Sequence, residues 1–425
     1  MTTFVLAYSG GLDTSVILKW LQVHHGASVV TVTADLGQRR ELLGLAEKAR
    51  ACGASRVFVD DLAAEYVAGY VWPSLKAGAL YQDSYPLASA LGRPLIGQRL
   101  VEVAAEVGAD AVVHGCTGKG NDQVRIEVAV RSLDPALRCL APLREWNLAG
   151  RDEEIAWARN HGVPVAATPE APYSIDENLW GLAVEAGVLE DPWAAPPEDA
   201  WQLTTDPRLA PAEGDQVTIT FEAGIPVAVD TVPLDGVALI HHLNDLAGAH
   251  GVGRIDMVED RLVGIKSREL YEAPAAVTLH AARVALEQLT LDRETRRLKD
   301  QLGRDLARLI YDGLWFTPLR ESISAFVDQA AEPVTGDVRL ELHRGSVTVV
   351  GRRSPCSLYD PGLATYGAGD RFDHASAAGF IELHGISART ARTARARAGA
   401  VHAAAPAASA ASAAPVTAGC MGGVA

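Results

Sequence analysis

Sulfur, basic charge and long apolar runs are all scarce in this chain, and each shortage removes a class of protein. Cysteine occurs five times in 425 residues, at Cys52, Cys116, Cys139, Cys356 and Cys420. An odd, scattered set fits neither a disulfide framework nor a zinc site, so the thiols read as reduced and without assigned chemistry. Lysine and arginine total 38 against 53 Asp and Glu, a formal charge of -15. Such a field repels phosphate backbones, and the first 380 residues hold no local basic patch to offset it, so no nucleic-acid partner is expected. No apolar run reaches the length of a bilayer span, and Met1-Thr2-Thr3 leads into Phe4-Val5-Leu6-Ala7 without a basic leader region. A soluble, cytoplasmic protein with no membrane partner is the expectation.

Core material, by contrast, is plentiful: 48% of the residues are hydrophobic, enough in a chain of this length for two or three domains. Over residues 1–165, short apolar runs at Phe4 to Tyr8, Val29 to Ala34, Arg56 to Val59, Ala111 to His114 and Val163 to Ala167 read as strands, with helical patterns between them. That alternation predicts an α/β domain, a parallel sheet with helices on both faces whose ligands bind beyond the carboxyl ends of the strands.

From about residue 166 the pattern changes to that of an α+β domain reaching residue 361. Alternating strands fall at Gln216 to Phe221 and Val227 to Val232, and helices at Val237 to Ala249, Ala275 to Leu289 and Glu294 to Ile310. A hairpin alternates Val338, Leu340 and Leu342 before Arg344-Gly345, then Val347 and Val349. A helical arm is expected over 362–399, where Arg389, Arg392 and Arg395 recur along one face and read as a solvated or subunit-contacting surface. Residues 400–425 are Ala, Pro, Ser and Thr with almost no large apolar side chain, a tail unable to offset the entropy of ordering.

The sharpest local signal is Ala7-Tyr8-Ser9-Gly10-Gly11-Leu12-Asp13-Thr14-Ser15, directly between the first strand and the first helix. Small residues let backbone N–H groups approach an anion, the helix N-terminus adds its dipole, and Ser9, Thr14 and Ser15 bring hydroxyls. Asp13 adds negative charge to a phosphate site, which makes sense if it serves the Mg²⁺ that accompanies a nucleotide. The loop matches neither G-x-x-x-x-G-K-[ST] nor G-x-G-x-x-G. It resembles the pyrophosphate-binding loop of the ATP pyrophosphatase superfamily, which implies ATP as cofactor, an adenine nucleotide alpha hydrolase-like fold, and cleavage between the α and β phosphates.

Further segments narrow the resemblance. His114 to Arg125 follows a strand and opens a helix; with 173–181, 256–269, 271–274, 312–316 and 363–366 it is similar to the argininosuccinate synthase family in order over residues 4–386. The resemblance implies an AMP-forming ligase and an α+β synthetase domain with a C-terminal arm. It also implies a homotetramer and an arginine biosynthetic reaction in which citrulline is adenylated and aspartate displaces AMP. Carried over by position, it assigns ATP to residues 7–15, Ala34 and Gly115, and aspartate to Thr117, Asn121 and Asp122. Citrulline falls to Tyr85, Asn121, Arg125, Ser174, Glu259 and Tyr271. Metal ligation is assigned to no protein cluster, Mg²⁺ arriving with ATP; Asp122 is a candidate to orient or deprotonate the aspartate amine, and Asp13 a further catalytic candidate. Independently of any resemblance, Arg125 and Glu259 offer the opposite charges that a zwitterion such as citrulline needs.

Three positions depart from the family pattern: Ala90 and Ala183 stand where many members carry a serine reaching citrulline, and Leu182 replaces an arginine. They leave open a paralogous ligase that joins aspartate to another ureido or amide acceptor. An RNA-modifying thiolase would need a paired-cysteine site and a basic face, and a catalytically silent relative would not need intact Ser9 to Ser15 and Asn121 to Arg125.

Overall fold

A computed structural model describes residues 2–38, 42–146, 150–164 and 173–404. The opening apolar run becomes strand β1, Thr3–Ala7, and is followed by β2, Ser28–Asp35, β3, Arg56–Asp61, β4, Ala111–Val113, and β5, Arg138–Leu140. All pair in parallel, in the order β3-β2-β1-β4-β5. Parallel strands need covering on both faces, which is why Phe4, Val5 and Leu6 are apolar without alternation. Phe4, Leu6 and Val29 pack against the helix Leu12–His25 on one face, while Val5, Val30 and Val32 pack against helices Ala88–Val107 and Asp122–Leu133 on the other. Strand order reverses between β1 and β4, so the loops leaving their carboxyl ends open a crevice at this switch point.

The fifth strand differs from expectation. Arg138–Leu140 forms the edge beside β4, and Val163 and Pro164 lie in no strand; residues 165–167 of that run lie outside the described residues. Three residues of mixed polarity at a sheet edge carry too weak a pattern to stand out.

Nine more strands build two antiparallel sheets. They are β6, Ser174–Asn178, β7, Gly181–Glu185, β8, Asp215–Glu222, β9, Ile225–Val229, β10, Val232–Pro233, β11, Arg254–Asp260, β12, Lys266–Glu272, β13, Gly336–His343, and β14, Ser346–Arg353. The run read as one strand from Val227 to Val232 is broken at Asp230 and Thr231, which take positive φ. The order β11-β12-β7-β6 makes a four-stranded sheet, and β10-β9-β8-β13-β14 a five-stranded one. The main core packs the five-stranded sheet against the helix Pro274–Thr290 and extends to the helix Arg293–Tyr311, with Val217, Ile219, Phe221, Leu279, Leu286, Leu306 and Ile310 buried together. Trp180 belongs to this core, its indole Nε1 donating to Pro86 O at 3.0 Å.

Residues up to 359 form one contact unit and those from Asp360 a second. The second holds helices Pro361–Ala364, His374–His384 and Ile386–Ala404. The last helix runs past residue 400, as alanine, the strongest helix former, permits; residues 405–425 lie outside the described ones. Among the described residues no helix is long and apolar enough to cross a membrane.

Candidate active site

The loop after β1 is shaped by two glycines with different tasks. Gly10 sits at φ +77°, a region costly for residues with a Cβ. Gly11, at φ -66° and ψ 176°, is the N-cap of helix Leu12–His25 and supplies no side-chain cap. The first-turn N–H groups that a serine or aspartate cap would satisfy are therefore open to an anion. The rest of the loop is tied down. Tyr8 N donates to Val32 O at 2.9 Å, Thr33 Oγ1 donates to Tyr8 O at 2.6 Å, and Lys48 Nζ donates to Gly10 O. Ser15 Oγ donates to Gly11 O at 2.7 Å, and Ser9 Oγ lies 3.2 Å from Thr14 Oγ1. Burial pushes the Tyr8 phenol up to about 12, so it stays protonated.

Beside the loop lies a chamber of about 230 Å³, lined among others by Ala7, Tyr8, Ser9, Thr14, Ala34 and Gly115. Six of the residues expected to bind ATP thus meet here. Gly10, Gly11, Leu12, Asp13 and Ser15 form the loop and helix start without lining that chamber. Gly115 has a steric reason: a Cβ there would meet Ile17 Cδ1 and Thr14 Cγ2 at 3.1 Å.

A second chamber, of about 390 Å³, opens toward the four-stranded sheet. It gathers Tyr85, Thr117, Asn121, Asp122, Arg125, Ser174, Glu259 and Tyr271, the residues expected to bind aspartate and citrulline. Strand periodicity explains the wall. Ala183 and Glu185 on β7, and Glu269 and Tyr271 on β12, recur at spacing two and face the chamber, while Leu182, Val184 and Leu270 turn to an apolar cluster behind. Of the departures, Ala183 faces the chamber, Ala90 is fully buried away from it, and Leu182 points elsewhere. On helix Asp122–Leu133, Asp122 and Arg125 share a face at spacing three.

Glu259 is 3% exposed. It pairs with neither nearby arginine: Arg261 turns to Glu185 and Glu269, and Arg268 to Asp256. Its carboxylate accepts from Tyr271 OH and Tyr311 OH, each at 2.6 Å. Burial, reinforced by the neighbouring anion, pushes both phenols up, so both remain donors. Tyr311 OH also accepts from Asn121 Nδ2 at 2.8 Å, and the Tyr311 ring stacks on Tyr81. Tyr85 stacks on Tyr271 with centroids 3.8 Å apart. Arg125 donates through Nε to Tyr311 O at 2.8 Å and through Nη1 to Asp122 at 2.9 Å. Its Nη2 is buried with no partner among the described residues. A buried guanidinium N–H costs free energy unless something accepts from it, so Nη2 suits a ligand carboxylate.

Six residues line both chambers: Ser9, Arg93, Gly115, Cys116, Asp122 and Asp176. Arg93 holds the partition, donating through Nε to Asp122 at 2.9 Å and through Nη2 to Asp176 at 2.6 Å. Burial works to raise the Asp122 carboxyl, but Arg93 and Arg125 together overcome it and hold the group below its ordinary value. Asp122 is thus an ionised, weakly basic carboxylate. Burial pushes the Cys116 thiol up to about 12, so this cysteine is no ready nucleophile. Tyr311, Arg93 and Asp176 escaped the sequence reading; a tyrosine ending an amphipathic helix reads as core, and an arginine on a helix reads as surface.

Among the described residues no three His, Cys, Asp or Glu side chains gather as a metal site. The donors at the loop are hard oxygens, Asp13 with Ser9 and Thr14, which suit a Mg²⁺ that takes most of its ligands from phosphates and water.

Residues 3–164 match the model of the arginosuccinate synthase N-terminal HUP domain, and residues 173–391 that of the arginosuccinate synthase C-terminal domain. Argininosuccinate synthase of Chlorobium luteolum is 54% identical over 385 residues, covering 91% of this chain and 96% of that one. The Chlorobaculum tepidum enzyme of the same name is 54% identical over 386 residues with the same coverage. A solved U34-tRNA thiolase, NcsA from Methanococcus maripaludis, is 15% identical with a TM-score of 0.26 over 41% of this chain and 60% of that one, too slight to bear on fold or activity.

Proposed function

The chain belongs to the argininosuccinate synthase family, and from that premise we propose how its own residues carry the family's reaction. It is an AMP-forming carbon–nitrogen ligase of arginine biosynthesis, joining L-citrulline and L-aspartate with ATP and Mg²⁺ to give argininosuccinate, AMP and pyrophosphate. A ureido carbonyl is a poor electrophile because both nitrogens donate into it. The ureido oxygen therefore bonds to the α-phosphorus as pyrophosphate leaves, and the aspartate amine then displaces AMP from the citrullyl-adenylate. Two steps replace one that is too slow, with the reactants held in place.

In our assignment the loop-side chamber takes ATP through residues 7–15, Ala34 and Gly115, the open helix N-terminus facing the outer phosphates. Mg²⁺ would be held with those phosphates by Asp13 and the loop hydroxyls, and would offset their charge. Citrulline lies in the sheet-side chamber, its carboxylate on Arg125 and its ammonium on Glu259, with Tyr85, Asn121, Ser174 and Tyr271 around it. Aspartate meets Thr117, Asn121 and Asp122. Being clamped by two guanidiniums, Asp122 orients the aspartate amine and leaves its proton to another acceptor.

The observation that carries this reading is the pairing, across one chamber, of a buried carboxylate with a buried guanidinium whose Nη2 has no partner among the described residues. A free amino acid is the ligand that satisfies both. The test is product analysis with purified protein, ATP, Mg²⁺, citrulline and aspartate. Argininosuccinate, AMP and pyrophosphate are expected; ADP and orthophosphate would overturn the reading.

The same proposal divides the chain into a nucleotide-binding domain at 1–165, a synthetase and oligomerisation domain at 166–361, an arm at 362–399 and a tail at 400–425. The two family models meet between residues 164 and 173, which supports the first division. The proposed assembly is a homotetramer joined partly through the arm, where Phe380, Ile381 and Leu383 are 64%, 67% and 71% exposed. A cytoplasmic location accords with Cys52, Cys116, Cys139 and Cys356 all being free thiols.

A further inference from the structure

We propose that Arg93 contacts the α-phosphoryl group while AMP passes to citrulline and is a catalytic residue of the adenylation step, an inference that rests on the ligase reading above. In that step a new P–O bond forms from the ureido oxygen as the bond to the β-bridging oxygen breaks and its electron pair leaves with pyrophosphate. The non-bridging oxygens of the α-phosphorus then face both the nucleotide and the acceptor. A stabilising cation must stand where the two chambers meet.

Arg93 stands there. Of the lysines and arginines among the described residues it alone lines the loop-side chamber, and it lines the sheet-side chamber as well. Three other cations near the chambers are engaged: Lys48 with Gly10 O, Arg261 with Glu185 and Glu269, and Arg125 with Tyr311 O and Asp122 on the acceptor side. Arg93 is anchored along one edge only. Nε and Nη2 go to Asp122 and Asp176, while Nη1 has no acceptor among the described residues. The helix Ala88–Val107 carries it. The two carboxylates fix the direction of the guanidinium, so its free N–H groups reach an α-oxygen without a change of rotamer, the preorganised arrangement that electrostatic catalysis requires. Asp122 and Asp176 are positioning residues in this account. Asp122 would also couple the guanidinium to the aspartate site.

The experiment uses the full chain and compares the parent with Arg93→Lys, Arg93→Gln and the pair Arg93→Gln with Asp176→Asn. The pair removes a carboxylate with the cation, so that folding is not burdened by two facing anions. Single-turnover pyrophosphate release with ATP, Mg²⁺ and citrulline, without aspartate, isolates adenylation. The two diastereomers of ATP carrying sulfur on the α-phosphorus then report contact with a particular non-bridging oxygen. We expect Arg93→Gln and the pair to slow adenylation by about 100-fold or more, and Arg93→Lys to do so by less. The parent's preference between diastereomers should collapse in the glutamine variants. Adenylation at the parent rate with an unchanged diastereomer ratio, the damage confined to the aspartate KM, would overturn the assignment. Failure of the parent itself to release pyrophosphate even with citrulline and aspartate both present would instead sink the ligase reading.

Discussion

Two neighbouring glycines should separate folding from phosphate binding. Gly10 is at φ +77°, and a Cβ there would approach Leu45 Cδ1 at 3.0 Å. Gly10→Ala therefore pays a left-handed backbone penalty of about 1–2 kcal/mol. That should lower Tm by roughly 2–4 °C per kcal/mol, or somewhat less in a unit this large. Gly11 is at φ -66°, a conformation any residue adopts, and a Cβ there would meet only Ser9 Oγ at 3.4 Å. Gly11→Ala should leave stability within about 0.5 kcal/mol. If the open helix N-terminus receives the phosphates, its methyl displaces one charge-assisted hydrogen bond, about 1.5–3 kcal/mol. At 1.4 kcal/mol per tenfold, the KM for ATP should rise about 10- to 150-fold. Thermal melts and ATP-dependent pyrophosphate release on both variants make the comparison. Gly11→Ala with parental ATP kinetics would refute the reasoning, as would an equal loss of Tm in both.

Arg125→Lys keeps the charge but loses the planar fork that serves Tyr311 O, Asp122 and the free Nη2 together; the citrulline KM should rise about 10- to 100-fold, with a smaller change for ATP. Ala183→Ser puts a hydroxyl on the chamber wall, and a net neutral hydrogen bond of about 0.5–1.5 kcal/mol should lower the citrulline KM up to about tenfold; a panel of ureido acceptors assayed for pyrophosphate release reads the selectivity. Burial and the neighbouring Glu185 push Glu269 from its ordinary 4.5 up to about 8 despite Arg261. A folded pKa above the unfolded one means stability present below pH 4.5 and lost as pH rises through 8, so the Tm of the parent should fall across that window and Glu269→Gln should flatten the fall. Phe380→Asp with Ile381→Asp should reduce the assembly measured by sedimentation, and an unchanged assembly would remove the arm from the subunit contact.

Much of the fold was legible because it is written locally. Apolar runs without alternation announced β1 and β2, and the spacing of Val338, Leu340 and Leu342 announced β13. The loop at residues 7–15 was legible because small residues between a strand and a helix suffice to build an anion site. The edge strand Arg138–Leu140 was not, since three residues carry no period. Glu259 illustrates a deeper limit: a sequence shows a carboxylate near two arginines, and only packing reveals that it faces two tyrosine hydroxyls instead.

The order of apolar and polar residues therefore determined the layers, the glycine-lined loop and the opposite charges available to a zwitterion, because backbone periodicity and steric freedom act over a few residues. Apart from Asp122 and Arg125, three apart on one helix, tertiary structure decided which of the site's polar groups meet. Arg93 reaches Asp122 across 29 positions and Asp176 across 83, and Arg125 reaches Tyr311 across 186. Such partnerships arise when strands and helices distant in the chain pack around one switch point, and no local pattern encodes the angle at which they arrive.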